Sequence, residues 1–190
     1  MTLFNIIKRV YKYIKLCMKA PFILVRGSRF SFTSIIEKDV YLRKSTIGKY
    51  CSIGMHGYYN RTTVGNYTSI AGGVTIGAME HSHWALSTST YLSNEGYDNR
   101  ETIIGNDVWI GTQCVIRQGV KIGNGAVVGA NSFVNKDIPP FAIVFGTPAK
   151  VYKYRFDEKT IKIIQESEYW LKSPSEAKQI LITILDGNNK

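Results

Sequence analysis

Residues 102–137 read TIIGNDVWIGTQCVIRQGVKIGNGAVVGANSFVNKD, and within them Ile104, Ile110, Ile116, Ile122, Val128 and Val134 recur at an unbroken interval of six. A helix repeats every 3.6 residues and a single strand every two. Six suits a short strand plus a corner, laid down in turn on each side of a three-sided coil. Gly105, Gly111, Gly123 and Gly129 directly follow four of these aliphatics. The expectation is that each missing Cβ lets the backbone bend as it leaves a flat side. Two places before each aliphatic stand Thr102, Val108, Cys114, Val120, Ala126 and Ser132, all small or β-branched. They too can point into a narrow prism.

The same interval extends upstream. Ile35, Tyr41, Ile47 and Ile53 keep it, and Val64, Ile70 and Ile76 resume it after residues 56–61, HGYYNR, which read as a small loop leaving the prism. Between Gly77 and Thr102 the hexads stop for AMEHSHWALSTSTYLSNEGYDNRE, residues 78–101, too long for a corner and holding two of the three histidines. Long loops in compact repeat folds are usually functional. Downstream, Pro139 and Pro140 end the regular ladder, with one more strand-like pass from Ala142 to Phe145. The tail reads as helical. Asp157 caps a first helix through Leu171, and Ser173-Pro174-Ser175-Glu176 is a capping box opening a second, with its apolar stripe on Ala177, Ile180, Leu181, Ile184 and Leu185. Three parts follow: 1–34, a basic amphipathic helix and linker; 35–150, the solenoid with its excursion loop; and 151–190, the helical tail. The apolar stripe of residues 2–19 either covers the open end of the prism or rests on an anionic membrane surface.

Composition narrows the partners. The 190 residues carry a formal charge of +10, and no acid precedes Glu37. That balance favours anionic partners such as nucleotide-like cofactors or phospholipid headgroups. Charge alone does not make a nucleic-acid binder, and no recognition motif accompanies it. Cys17, Cys51 and Cys114 are odd in number and two fall on inward positions, as expected of buried thiols in a reducing, cytoplasmic compartment. No run approaches the ~18 apolar residues of a membrane span.

The motifs IIGNDVWIG, VKIGNGAVVGANSFVNKDIPPFAIVFGTPAK and YRFDEKTI resemble the hexapeptide-repeat acyltransferases, above all the branch of xenobiotic acetyltransferases and surface-polysaccharide O-acetyltransferases. The resemblance implies a left-handed parallel β-helix, an exception to the right-handed crossover of parallel strands. It also implies a homotrimer with acetyl-CoA between adjacent prisms, no metal, and a loop histidine that deprotonates the acceptor. His81 matches that histidine, with His83 in reserve; an imidazole can wait neutral and take a proton as the acceptor attacks. Glu80 could orient it. Trp109 matches a residue flanking the pantetheine arm, Thr112, Ala130, Asn135 and Lys136 match positions lining the cofactor groove, and Lys150 and Lys153 match basic positions near the adenosine phosphates. The aromatics Tyr58, Tyr59, Trp84 and Tyr91 are candidates either to stack on a sugar ring or to pack the loops.

The implied activity is O-acetylation of a sugar hydroxyl in capsule or O-antigen biosynthesis, at the inner face of the cytoplasmic membrane if residues 2–19 dock there. Acetylation of an antibiotic such as chloramphenicol or a streptogramin, or N-acetylation of a nucleotide-linked amino sugar, would use the same groove. Two other classes on such prisms fit less well. A zinc carbonic anhydrase would need three converging histidines, here His56, His81 and His83; a flat ice-binding solenoid would lack the long loop.

Overall fold

The computed structural model describes residues 23–92 and 99–188. The hexad aliphatics form a buried column, and the strands that carry them assemble three parallel sheets, of six, five and seven strands, as the faces of a prism. Face A holds Ile23–Arg26, Val40–Arg43, Tyr58–Asn60, Thr75–Ala78, Val115–Arg117 and Phe133–Val134. Face B holds Arg29–Phe30, Thr46–Ile47, Thr62–Val64, Thr102–Ile104 and Lys121–Ile122. Face C runs from Ile35–Ile36 through Ser52–Ile53, Ser69–Ile70, Trp109–Ile110 and Val127–Val128 to Ala142–Gly146, then closes with Ala149–Tyr154. The last pair is antiparallel. The chain passes A, B, C and back to A, so each edge of the prism is a stack of corners.

Burial fixes the register. Ile104, Ile110, Ile116, Ile122, Val128 and Val134 are all buried, each such side chain stabilising the fold by about 1.5–3 kcal/mol. Upstream the expected register slips by one residue. Ile36 and Leu42 are inside, while Ile35 is half exposed and Tyr41 faces outward. Ile36 pairs with Ile53 and Ile53 with Ile70, and contacts between these coils run at a separation of 17, whereas the later Asn106–Asn124 contact runs at 18. One corner per early coil is a residue shorter.

That short corner corrects the reading of residues 56–61. HGYYNR does not leave the prism: Tyr58–Asn60 is a face A strand, and Tyr59 is fully buried in the inward position. Gly57 makes room for it, since a Cβ there would stand 2.6 Å from the Tyr59 ring. Tyr59 therefore has no face to offer a sugar. Residues 23–34, taken as linker, likewise contribute strands, Ile23–Arg26 pairing with Val40–Arg43 and Arg29–Phe30 with Thr46–Ile47. The predicted helix at 2–19 lies outside the described residues.

The glycines after the aliphatics have a different reason from bending. A Cβ on Gly105 would stand 2.7 Å from the Asn124 nitrogen, and one on Gly111 2.6 Å from that of Ala130. Stacking of one coil on the next excludes a side chain there. The left-handed bends fall two residues later, on Asp107 and Gln113, with φ of 51° and 58°. Inward hydroxyls stitch the coils: Thr62 N–H donates to Ser45 Oγ at 3.1 Å, and Val108 N–H to Thr68 Oγ1 at 3.2 Å.

The tail packs on its own prism, at the edge between faces B and C. There Asn66, Asn106 and Asn124 form a ladder in which each backbone N–H donates to the next side-chain carbonyl at 2.8 Å. Asp157 accepts from Thr160 N–H and caps helix α1 (Glu158–Ser167), which stops short of the predicted Leu171 because Glu168 turns left-handed and Tyr169–Leu171 forms a 3-10 turn. Helix α2 (Pro174–Asn188) opens on the predicted box, with Ser173 N–H donating to Glu176 at 3.0 Å. Tyr169, Trp170, Ile164, Ala177 and Phe141 make a second small core, and Asn66 Nδ2 and Tyr67 Oη donate to the Trp170 and Lys172 carbonyls. No helix among the described residues is long and apolar enough to cross a membrane.

Candidate active site

The long loop leaves the prism at the edge between faces A and B, just after Thr75–Ala78, and His81 stands three residues beyond that strand. Its imidazole is exposed, and Nδ1 lies 2.7 Å from the Thr88 carbonyl oxygen. Glu80 does not serve as the expected partner in that contact. Its carboxylate grips the Arg117 guanidinium by two bonds of 2.7 Å, from Nε and Nη2. The pair ties the loop's first turn to face A. His83, also exposed, meets the Trp84 ring edge-on at 5.0 Å. His56 is on another edge, between C and A, with Nδ1 3.7 Å from Asp39, so the three histidines do not converge within a chain. Among the described residues no group of three or more His, Cys, Asp or Glu could hold a metal ion.

Trp109 is on face C, pointing outward and 56% exposed. Strand pairing sets it in line with Val127, Ile143 and Lys153 along the prism axis. At about 4.8 Å per strand the row spans about 14 Å. A cleft of about 670 Å³ opens beside Trp109, lined by Ser69, Val127 and Ile143 and flanked by Tyr67 and Arg155. Lys150, opposite Phe145, and Lys153 both reach solvent at the end of that face. Thr112 and Ala130 occupy the edge between C and A, Thr112 Oγ1 donating to the Gly72 carbonyl at 2.8 Å.

Asn135 and Lys136 follow the face A strand Phe133–Val134, on the same edge as His81 but two coils further on. The predicted residues thus fall into two groups, and face C is opposite the A/B edge in a three-sided prism. One chain does not bring His81 and Trp109 together. Of the loop aromatics, Trp84 and Tyr91 are well exposed, whereas Tyr58 stacks on Tyr41 at 5.1 Å on the outer side of face A. Sequence reasoning missed Arg117 and Thr88: one is an outward hexad residue remote from Glu80, the other acts through its backbone.

A family model described as the bacterial transferase hexapeptide, of six repeats, matches residues 101–136. A chloramphenicol acetyltransferase of Agrobacterium fabrum is 30% identical over 185 residues, covering 80% of this chain and 88% of its own. The chain belongs to the hexapeptide-repeat acyltransferases. A chloramphenicol acetyltransferase of Morganella morganii is 38% identical over 138 residues, 67% of this chain, and a galactoside O-acetyltransferase of Escherichia coli 38% over 127 residues, 62% of this chain; the chain spans 59% of the length of each. Among solved structures, a hexapeptide-repeat acetyltransferase of Vibrio cholerae complexed with acetyl coenzyme A superposes with a TM-score of 0.64 at 26% identity, covering 77% of this chain and 79% of its own. The prism of this hexapeptide acyltransferase is the left-handed parallel β-helix that the resemblance implied.

Both inward thiols are buried in it. Burial pushes the Cys51 and Cys114 thiols up, and their Sγ atoms donate to the Gly65 and Gly129 carbonyls at 3.0 Å, which makes them packing residues rather than nucleophiles.

Proposed function

We propose that this hexapeptide acyltransferase moves an acetyl group from acetyl-CoA to a sugar hydroxyl, directly and with His81 as general base. The contact from His81 Nδ1 to the Thr88 carbonyl carries the assignment. A carbonyl only accepts, so the proton resides on Nδ1 and the lone pair on Nε2. Nε2 is then the atom that takes the acceptor's proton as its oxygen attacks the thioester carbon. When the C–S bond breaks, the thiolate leaves with that proton. No acyl-enzyme is needed.

The placement of the remaining residues supports a site built between neighbours of a homotrimer. One prism would offer the A/B edge with His81, Asn135 and Lys136. The next would offer Trp109, Thr112 and Ala130 to the donor's arm and Lys150 and Lys153 to its phosphates, as compact charges suited to that end. Trp84 and Tyr91, both exposed on the loop, would stack on the acceptor ring. A capsule or O-antigen sugar fits the reading, with residues 2–19 bringing the enzyme to the inner membrane face. The chloramphenicol acetyltransferases among the relatives favour a second reading, an antibiotic hydroxyl in the same place.

Thiol release from acetyl-CoA, measured with a panel of sugars and with chloramphenicol, separates the two. Replacing the base, His81→Ala, is expected to cut turnover by about 10²–10⁴-fold while acetyl-CoA affinity stays near wild type, and His83→Ala to change little. The reverse ranking moves the base to His83.

A further inference from the structure

The A/B edge is divided by the loop. Toward the C-terminal coils lie Arg117, Asn135 and Lys136; toward the N-terminal coils lie Arg26, Arg43, Lys44 and Arg61. Pairing sets Arg26 opposite Arg43, and Arg43 opposite Asn60. Lys44 and Arg61 are the left-handed corner residues immediately after. Arg43 Nη1 donates to Asn60 Oδ1 at 2.9 Å and lies 3.4 Å from Met79 Sδ, two residues before His81. Arg61 Nε is buried with no hydrogen-bond partner. Among the described residues, none of these four cations pairs with a carboxylate.

The fold does not call for this stack. Like charges facing each other on adjacent strands destabilise a sheet, and the B/C edge fills its corners with the neutral Asn66–Asn106–Asn124 ladder instead. Arginines on successive coils beside the root of the histidine loop, one of them with an N–H unmet, suit an anion with several oxygens. Coils are about 4.8 Å apart, so Arg61 and Arg43 stand about 5 and 10 Å along the edge from the root of the histidine loop. The donor's proposed contacts, Trp109 down to Lys153, run toward the C-terminal coils, which leaves this stretch for the acceptor.

We infer that the acceptor is a sugar bearing an anomeric phosphate or pyrophosphate, held by Arg43 and Arg61 while a ring hydroxyl meets Nε2 of His81. The inference rests on the acetyl-transfer reading and narrows its substrate class. Nucleotide-linked and lipid-linked glycosyl phosphates present the same chemistry to Arg43 and Arg61.

The test uses the full chain, the double variant Arg43→Gln/Arg61→Gln, and a control with the same loss of charge on the tail helices, Lys159→Gln/Lys178→Gln. Inorganic pyrophosphate is expected to raise the melting temperature of wild type and control alike, and the rise to fall at least about fivefold in the arginine variant. Thiol release is expected to be at least about tenfold more efficient with a hexose 1-phosphate, a nucleotide diphosphohexose or a short polyprenyl pyrophosphohexose than with the free hexose. Which of the last two is preferred names the source. No pyrophosphate shift in wild type, or an equal shift in the arginine variant, overturns the inference. So does turnover of free and phosphorylated sugars at one rate, which leaves acetyl transfer standing. Absence of thiol release with every acceptor sinks both.

Discussion

A Cβ on Gly57 would strike the ring of Tyr59 at 2.6 Å, and the Tyr59 hydroxyl is buried without a partner. The two residues are one packing unit. Gly57→Ala is expected to cost about 1–3 kcal/mol by overpacking, and Tyr59→Leu on that background to recover most of it. Tyr59→Phe removes an unsatisfied hydroxyl and is expected to leave stability unchanged or higher by up to about 1 kcal/mol. Urea midpoints at constant m-value decide both. Single residues also show where the sequence misled. Tyr59 reads as a loop aromatic because Ile53 and Val64 are eleven apart, yet the interval is one hexad and one shortened side, with the tyrosine inside.

The Glu80–Arg117 pair ties the first turn of the excursion loop to face A. An ion pair this exposed contributes about 1 kcal/mol or less to stability, so its loss should not unfold the prism. Its expected effect is on position. Glu80→Gln or Arg117→Gln lowers kcat about tenfold or more with KM for acetyl-CoA unchanged, and the exchange Glu80→Arg/Arg117→Glu restores part of it. A fall in thermal stability with kcat intact would make the pair merely structural. Both tail helices are capped by carboxylates. The Thr160 hydroxyl and amide hold the Asp157 carboxyl below its usual range, and those of Ser173 do the same for Glu176. Groups lowered by folding contribute stability above their unfolded values, and the contribution is lost as pH falls through the folded ones. Trp170 emission is therefore expected to change on acidification before the β-sheet circular dichroism does, and Asp157→Asn/Glu176→Gln to remove the pH dependence of that step.

Across the whole molecule the prism's three edges have separate uses. The B/C edge is covered by the tail, the C/A edge is lined by close-stacked small residues, and the A/B edge carries the loop and the arginine stack. His81 and Trp109 face opposite ways. If the site lies between neighbouring prisms, mixing unfolded His81→Ala and Trp109→Ala chains and refolding them together is expected to restore activity that neither has alone, since some interfaces then pair an intact edge with an intact face. Recovery no greater than the sum of the separately refolded variants places both residues in one subunit's site.

The sequence alone determined the solenoid. A period of six, with a small residue two places before each aliphatic and a glycine after four of the six, fits a short strand plus a corner on each side of a three-sided coil, in which every sixth side chain meets one interior. The caps at Asp157 and Ser173–Glu176 were equally legible, since a cap is settled within four residues. Tertiary structure decided what depends on which coil lies over which. The seventeen-residue coils that align Arg26 with Arg43, the reach of Arg117 to Glu80, and the Thr88 carbonyl behind His81 join positions far apart in the chain or use the backbone. Local periodicity reports which side chains point inward; contacts along the outer edges are fixed only once the coils are counted and stacked.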